Sequence, residues 1–348
     1  MEWNSVPAVA SARNAVRARW VAARLQPPWL RVLSIAAPAA WLLTTIWFVA
    51  FEGLPLTRDF IAAWVVLGLL AVSLSDIRGW LHGVIFEWLP FFALLALYDL
   101  LRGVADGLVF HAFYLPQIDV DQFLFFGTVP TVWLQEHLYT PGTLPWYGII
   151  AWAVYMSHFF ATPLLAMVLW KLDRPRFRRY AVTVGALSLI GFATYALYPA
   201  APPWMASERG LIGPVARVVP EIWGLLGVDA RFGVLGTGYE YANDVAAVPS
   251  LHAAFSLLVA LELFPRGPLP PGHRSLPRLA ARVLLVAYPL TMAFGLVYSG
   301  EHYVSDILLG WLYALICFFG VRAAFRRWQA RRRAEPALTS ASFPPSSL

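Results

Sequence analysis

The sequence predicts an all-α polytopic membrane protein with about eight transmembrane helices. Composition points there first: of 348 residues, 59% are apolar and 13% charged, where an average soluble domain carries about 25% charge. Apolar runs long enough to cross about 30 Å of hydrocarbon recur along the chain. Arg and Lys then divide unequally between the two sides that alternating spans would create. This composition excludes disorder, a coiled coil and an ordinary soluble enzyme. The 16 Trp and 14 Tyr suit aromatic belts at two interfaces. The single cysteine, Cys317, lies in an apolar run and leaves no intrachain disulfide and no Cys-based metal site.

Residues 1–31 carry Arg13, Arg17, Arg19, Arg24 and Arg31 and a Pro27-Pro28 break. No short apolar stretch there ends in a small-residue cleavage site, so a cytoplasmic N-terminal segment is expected and no removable signal peptide. Spans are expected near 32–51, 60–77 and 81–101, together an N-terminal transmembrane unit. Residues 102–146 contain Asp119, Asp121 and the stretch DQFLFFGTVPTVWLQEHLY, whose mixed aromatic and polar character suits a segment lying flat at the outer interface. Five further spans are expected near 147–170, 181–198, 249–265, 283–299 and 302–321. They frame a unit 147–321 with a long outer loop, 199–248, that opens with PAAPPW. Loops of that length in a compact protein are usually functional. Residues 322–348 read as a basic and then, from about 334, disordered cytoplasmic tail.

With the N-terminus in the cytoplasm, the inner segments hold 21 of the 26 Arg and Lys, and the outer segments hold 5: Arg58, Arg102, Arg209, Arg217 and Arg231. That bias is what the positive-inside rule demands, and it predicts both termini in the cytoplasm of a plasma-membrane protein. The net charge of +6 then speaks of orientation and anionic lipid at the cytoplasmic face, not of nucleic acid.

Two of the seven histidines have surroundings that agree with each other. His252 lies in VPSLHAAFSLL, where Pro249 suits a first helical turn shared with Ser250 and His252. His302 lies in YSGEHYVSDILLGW, where Ser299 is an expected N-cap and His302 is expected in the first turn. Asp306 follows four residues later on the same face. A carboxylate there can hold one imidazole N–H and leave the other nitrogen as a nucleophile. Both segments start at the expected outer face, and unpaired N–H groups at helix N-termini suit a phosphate. One histidine could attack phosphorus and the other protonate the leaving oxygen. The residues alone leave open whether the pair does chemistry or only caps two helix ends.

At these residues the sequence resembles the membrane branch of the type 2 phosphatidic acid phosphatase superfamily, and within it the inositol phosphorylceramide synthase-like subgroup. PSLH at 249–252 resembles the superfamily's second motif and HYVSD at 302–306 the His-x-x-x-Asp core of its third. YPAAPPW at 198–204, YMSHFF at 155–160 and GTVPTVWLQ at 127–135 are similar to subgroup segments. The resemblance implies a six-helix core and a metal-independent phosphohistidine mechanism without cofactors. His302 would be the nucleophile, Asp306 its orienting partner and His252 the acid/base. Ser250, His158, Tyr198, Trp204, Asp121 and Trp133 are expected around the substrate, a membrane lipid with a polyol or sugar acceptor.

The sequence departs from the wider superfamily in two places. Leu296 stands where that pattern has an Arg six residues before the nucleophile. Lys171 and Arg174-Pro175 are too close together for its first motif and lie on the expected cytoplasmic side. Both departures favour the synthase-like subgroup and leave Arg209, Arg217 and Arg231 as the cations of the outer loop. Hydrolysis of a lipid or polyprenyl phosphate is the alternative within the same chemistry. A transporter would use Glu87, Asp99 and His158 as a polar path, and a metal hydrolase would use His252, His302 and Asp306. GTGYEY at 236–241 has no preceding strand and carries no nucleotide reading. Asn243 and Asp244 read as a loop turn before PSLH.

Overall fold

In hydrocarbon an α-helix satisfies its own backbone, and the apolar runs of this chain take that solution. A computed structural model describes residues 27–51, 58–96, 112–225, 245–265, 267 and 276–340. The helices are α1 (Pro28–Phe51), α2 (Arg58–Ala71), α3 (Ile77–Ala96), α4 (Leu115–Leu124), α5 (Pro130–Leu138), α6 (Trp146–Leu172) and α7 (Arg174–Leu197). They continue with α8 (Pro203–Glu208), α9 (Val218–Leu225), α10 (Leu251–Leu263), α11 (Leu276–Tyr298) and α12 (Val304–Ser340). Among the described residues there is no strand, only isolated parallel bridges from Phe113 to Ala200 and from Ala200 to Ala246. The protein is thus an all-α polytopic membrane protein. Asp99, Arg231, residues 236–241, Asn243 and Asp244 lie outside the described residues.

Among the described residues six helices, α1, α3, α6, α7, α11 and α12, are long and apolar enough to cross a membrane. The other two expected spans are shorter. Helix α2 stops at Ala71, and α10 has 13 residues, about 20 Å at 1.5 Å per residue. The shortfall of α10 has a structural counterpart. It begins level with His158, a dozen residues into α6, where the His158 and His252 ring centroids are 4.1 Å apart. Residues 245–250 reach that depth as non-helical chain, paired through Ala200 and Ala247. Such backbone is tolerated at depth when protein buries it, and Ala247, Val248 and Ser250 are all buried.

Two other boundaries differ from expectation. The expected loop around 171–180 shrinks to Asp173, which accepts the Arg176 N–H at 3.0 Å and caps α7 while α6 ends beside it. Helix α12 runs to Ser340, past the point where disorder was expected.

The bundle closes on α10, which packs against α6, α7, α11 and α12. At its C-terminal end the buried Glu262 binds both Arg176 of α7 (2.5 Å) and Arg322 of α12. Near the same ends of α6 and α7, Glu87 of α3 binds Arg174 and Arg178 and accepts from Trp170 Nε1 at 2.8 Å. At its N-terminal end the Ser250 N–H donates to the Asp306 carbonyl at 3.0 Å. Gly310 makes this approach possible, since a Cβ there would sit 2.3 Å from the Ser250 carbonyl oxygen.

A Gly310→Ala substitution must therefore force α12 away from backbone that cannot swing aside, and overpacking of this kind costs about 1–3 kcal/mol. Gly320→Ala, with open space at its Cβ, serves as the control. Thermal unfolding of the detergent-solubilised protein should show a clear drop in Tm for the first and none for the second.

Candidate functional site

His252 and His302 come together from elements far apart in sequence. His252 is the second residue of α10, whose N-cap is Ser250 with its side chain accepting the Ala253 N–H at 3.4 Å. Its ring stacks on Tyr155 of α6 (4.8 Å between centroids, 19° between planes) and meets Phe159 edge-on at 6.3 Å. Tyr155, His158 and Phe159 occupy i, i+3 and i+4 of α6, so one helical face forms this wall. The His302 ring lies 6.0 Å from that of His252.

His302 precedes α12 instead of sitting in its first turn. The chain turns at Ser299–Gly300, and the N–H groups of Glu301 and His302 both donate to the Leu296 carbonyl (3.1 and 3.2 Å). Leu296 is fully buried. The helix begins at Val304, and Ser299 does not cap it. His302 is 7% exposed, and its Nδ1 lies 3.4 Å from Oδ2 of the fully buried Asp306, close but not yet a formed hydrogen bond. Asp306 Oδ2 also accepts the Tyr303 N–H at 2.9 Å.

The expectation of open N–H groups at the start of α12 is corrected by Asp121. Its carboxylate accepts the N–H groups of Val304 and Ser305, at 3.0 and 2.9 Å. Together with Asp306 it fills the first turn of α12, so those donors are not available to a phosphate. Asp121 is fully buried inside this cap. Burial pushes its carboxyl up from the usual carboxylate range, against the pull of the Ser305 and Val304 N–H groups. Ser250 is likewise fully buried, its side chain accepting the Ala253 N–H and its own N–H bound to the Asp306 carbonyl.

The remaining expected site residues sit around this centre. His158 faces His252 directly. Tyr198, just past α7, stacks on Phe113 at 4.6 Å, and burial and then the nearby Asp306 raise its phenol pKa. Trp204 of α8 lies beneath the Arg217 guanidinium at 4.8 Å, and Arg217 in turn binds Glu301 at 2.8 Å, next in sequence to His302. Arg209 rests instead on the Tyr114 ring at 4.3 Å. Trp133 is half-exposed and lines an apolar groove of about 540 Å³ with Leu134, Phe294, Leu308 and Trp311. That groove runs along the flank of α12 opposite the Asp306 face.

Lys171 and Arg174 stand at the other end of the bundle. Tyr195 Oη reaches the Pro249 carbonyl at 2.8 Å beside the site, and Arg174 is 21 residues away on the same helix, about 31 Å. Lys171 donates to Ser73 Oγ at 3.0 Å, and Arg174 is bound to Glu87. Neither clamps a phosphate at His302. Glu87, held by two arginines, does not join His158 in a polar path. Among the described residues no three His, Cys, Asp or Glu side chains converge as metal ligands.

The site is thus a buried His-x-x-x-Asp turn facing a second imidazole across a helix start. The family profile described as the PAP2 superfamily matches residues 118–319. The chain belongs to the PAP2 superfamily. Its relatives include phosphoinositol dihydroceramide synthase of Bacteroides thetaiotaomicron, 34% identical over 176 residues, covering 46% of this chain and 53% of the relative. The catalytic subunit of inositol phosphorylceramide synthase of Schizosaccharomyces pombe is 30% identical over 178 residues, covering 49% and 39%. Inositol phosphorylceramide synthase of Candida albicans is 26% identical over 178 residues, covering 49% and 35%. The match thus spans about half or less of each of these relatives. No solved structure matches this PAP2 chain significantly. The matched region holds every expected site residue, and α1–α3 lie outside it.

Sequence reading missed two features of the site: Tyr155, legible from its i, i+3, i+4 spacing with His158 and Phe159, and the Arg217–Glu301 pair, whose partners are 84 residues apart. An ion pair this exposed is worth about 0.2–1 kcal/mol, so Arg217→Gln should lower kcat/KM by about two- to fivefold by freeing Glu301 beside His302. Arg209→Gln, on the Tyr114 ring, should leave it unchanged. Steady-state kinetics on purified protein in mixed micelles measures both.

Proposed function

We propose that this PAP2 protein is a metal-independent enzyme that moves a lipid headgroup through a phosphohistidine on His302. The observation that carries the reading is the pair of imidazoles 6.0 Å apart with a buried carboxylate behind one of them. His302 attacks phosphorus, an N–P bond forms, and the bond to the leaving lipid oxygen breaks. That oxygen takes a proton from His252. An acceptor hydroxyl then gives its proton to His252 and attacks phosphorus, and His302 is released. Asp306 holds the far side of the His302 ring through both steps. The cycle draws on no metal or organic cofactor.

The relatives' names supply the substrate class: a phosphoinositol headgroup and a ceramide or dihydroceramide acceptor. His158, Tyr198 and Trp204 would shape the pocket, and Trp133 and its apolar groove would take the hydrocarbon side. The 21-to-5 split of basic residues supports an extracytoplasmic site, cytoplasmic termini and a plasma-membrane location. The exposed Arg326, Arg327, Arg331 and Arg332 of α12 would then meet anionic lipid on the inner side.

Radiolabelled phosphatidylinositol with ceramide, dihydroceramide or water alone as acceptor, the products separated by chromatography, tests transfer directly. A labelled sphingolipid product is expected; free inositol phosphate at equal rate with or without acceptor would make the protein a hydrolase. His302→Ala should be inactive on every substrate. His252→Ala should lose about 10²–10⁴-fold on lipid and recover part of it on an aryl phosphodiester, whose leaving group needs no proton. If both variants stayed active, the histidines would be helix-end residues and the proposal would fail.

Orientation is tested separately with Cys317 replaced by Ala. A cysteine at the exposed Thr143, at the site end, should react with an impermeant thiol reagent in intact cells. One at the exposed Arg327, at the opposite end, should react only after lysis.

A further inference from the structure

The segment 299–303 that carries His302 is irregular chain between α11 and α12, and such chain does not hold a ring in place by itself. Two buried polar side chains from the helices before α6 hold it from both sides. On one side, Gln135 of α5 is 4% exposed and uses its whole amide. Its Nε2 donates to the carbonyls of Tyr298 (2.8 Å) and Ala216 (2.9 Å), and its Oε1 accepts the Ala216 N–H (2.7 Å). On the other side, Asp121 of α4 takes the N–H groups of Val304 and Ser305. Between them Gly300 adopts φ +77°, and a Cβ there would meet the Ala216 carbonyl oxygen at 2.9 Å.

We infer that Asp121 and Gln135 are positioning residues for the proposed nucleophile: α4 and α5 fix the two ends of the His302 segment and so set the approach of its ring to phosphorus. The inference rests on the reading of His302 as nucleophile. Two features argue against mere packing. A buried carboxylate is costly unless it is well bonded, and here its two bonds fall two and three residues after His302. The amide of Gln135 makes its three bonds to segments 81 and 163 residues away, one of them only four residues before His302. None of these bonds goes to either imidazole. Removing them should change where the nucleophile sits and leave the lipid contacts alone.

A misplacement of about 1 Å can cost about 10²-fold in rate. Gln135→Met, which keeps the volume and loses all three bonds, should lower kcat on that scale while KM for the donor lipid stays within about threefold. Asp121→Asn, which keeps one acceptor and turns a donor toward the other N–H, should lower kcat by about tenfold or more, again without a matching change in KM. Glu221→Gln is the control. Glu221 binds Tyr139 Oη and the Gly142 N–H (2.6 Å) at the end of α5, so its loss loosens the same element away from His302. It should lower Tm and keep kcat.

His302→Ala is measured alongside, so that failure of the nucleophile reading shows separately as retained turnover in that variant. With His302→Ala inactive, the inference is overturned if Gln135→Met and Asp121→Asn keep kcat within about threefold. It is overturned equally if their kcat losses follow Tm on the same line as Glu221→Gln. Should Gln135→Met fail to fold, the kcat and KM of Asp121→Asn decide alone.

Discussion

The contact between the start of α10 and the first turns of α12 is the constraint on which the rest of the site depends. Ser250 donates its N–H to the Asp306 carbonyl, and Gly310 lets the two backbones meet. His252 is two residues beyond Ser250, and Asp306 is itself the partner of His302. A single backbone junction thus fixes the distance between the two imidazoles. The side chains around it hold that junction: Tyr195 on the Pro249 carbonyl, and Leu251 against Gly191.

A second set of interactions keeps the junction from drifting along the bundle axis. Glu262, bound by Arg176 and Arg322, pins the far end of α10 to α7 and α12. Glu87 ties α3 to Arg174 and Arg178 of α7. Such buried charges contribute little net stability compared with apolar residues of the same shape, but removing one partner is strongly destabilising. Their value here is register: a helix held by its end to two neighbours cannot slide by a turn. Most of the basic cluster that argues for membrane orientation is therefore also part of the internal scaffold.

The PAP2 match begins inside α4 and ends in α12. Within that span the helices divide the work. Helices α6, α7, α10, α11 and α12 form the bundle; α4 and α5 form an outer pair that holds the His302 segment on one side and lines an apolar groove on the other. Phe123 and Phe126, on the exposed edge of this pair, are 84% and 99% exposed.

Much of this was legible in the sequence because it depends on composition and on local spacing. Long apolar runs become helices in a membrane whatever their neighbours are, and PSLH and HYVSD announce themselves as helix-start motifs with a His-x-x-x-Asp face. What the sequence could not show is depth. Nothing local says that α10 starts a dozen residues down α6, because its 13 residues read like the shortened end of a full span. Nor could it show which donors at a helix start are already taken. Asp121 reads in the sequence as one residue of an aromatic amphipathic stretch, yet it caps α12 across 183 residues of chain. Spacing is a property of the chain itself. Depth and capping arise only when segments distant in sequence compete for the same buried hydrogen bonds, and the tertiary packing decides that competition.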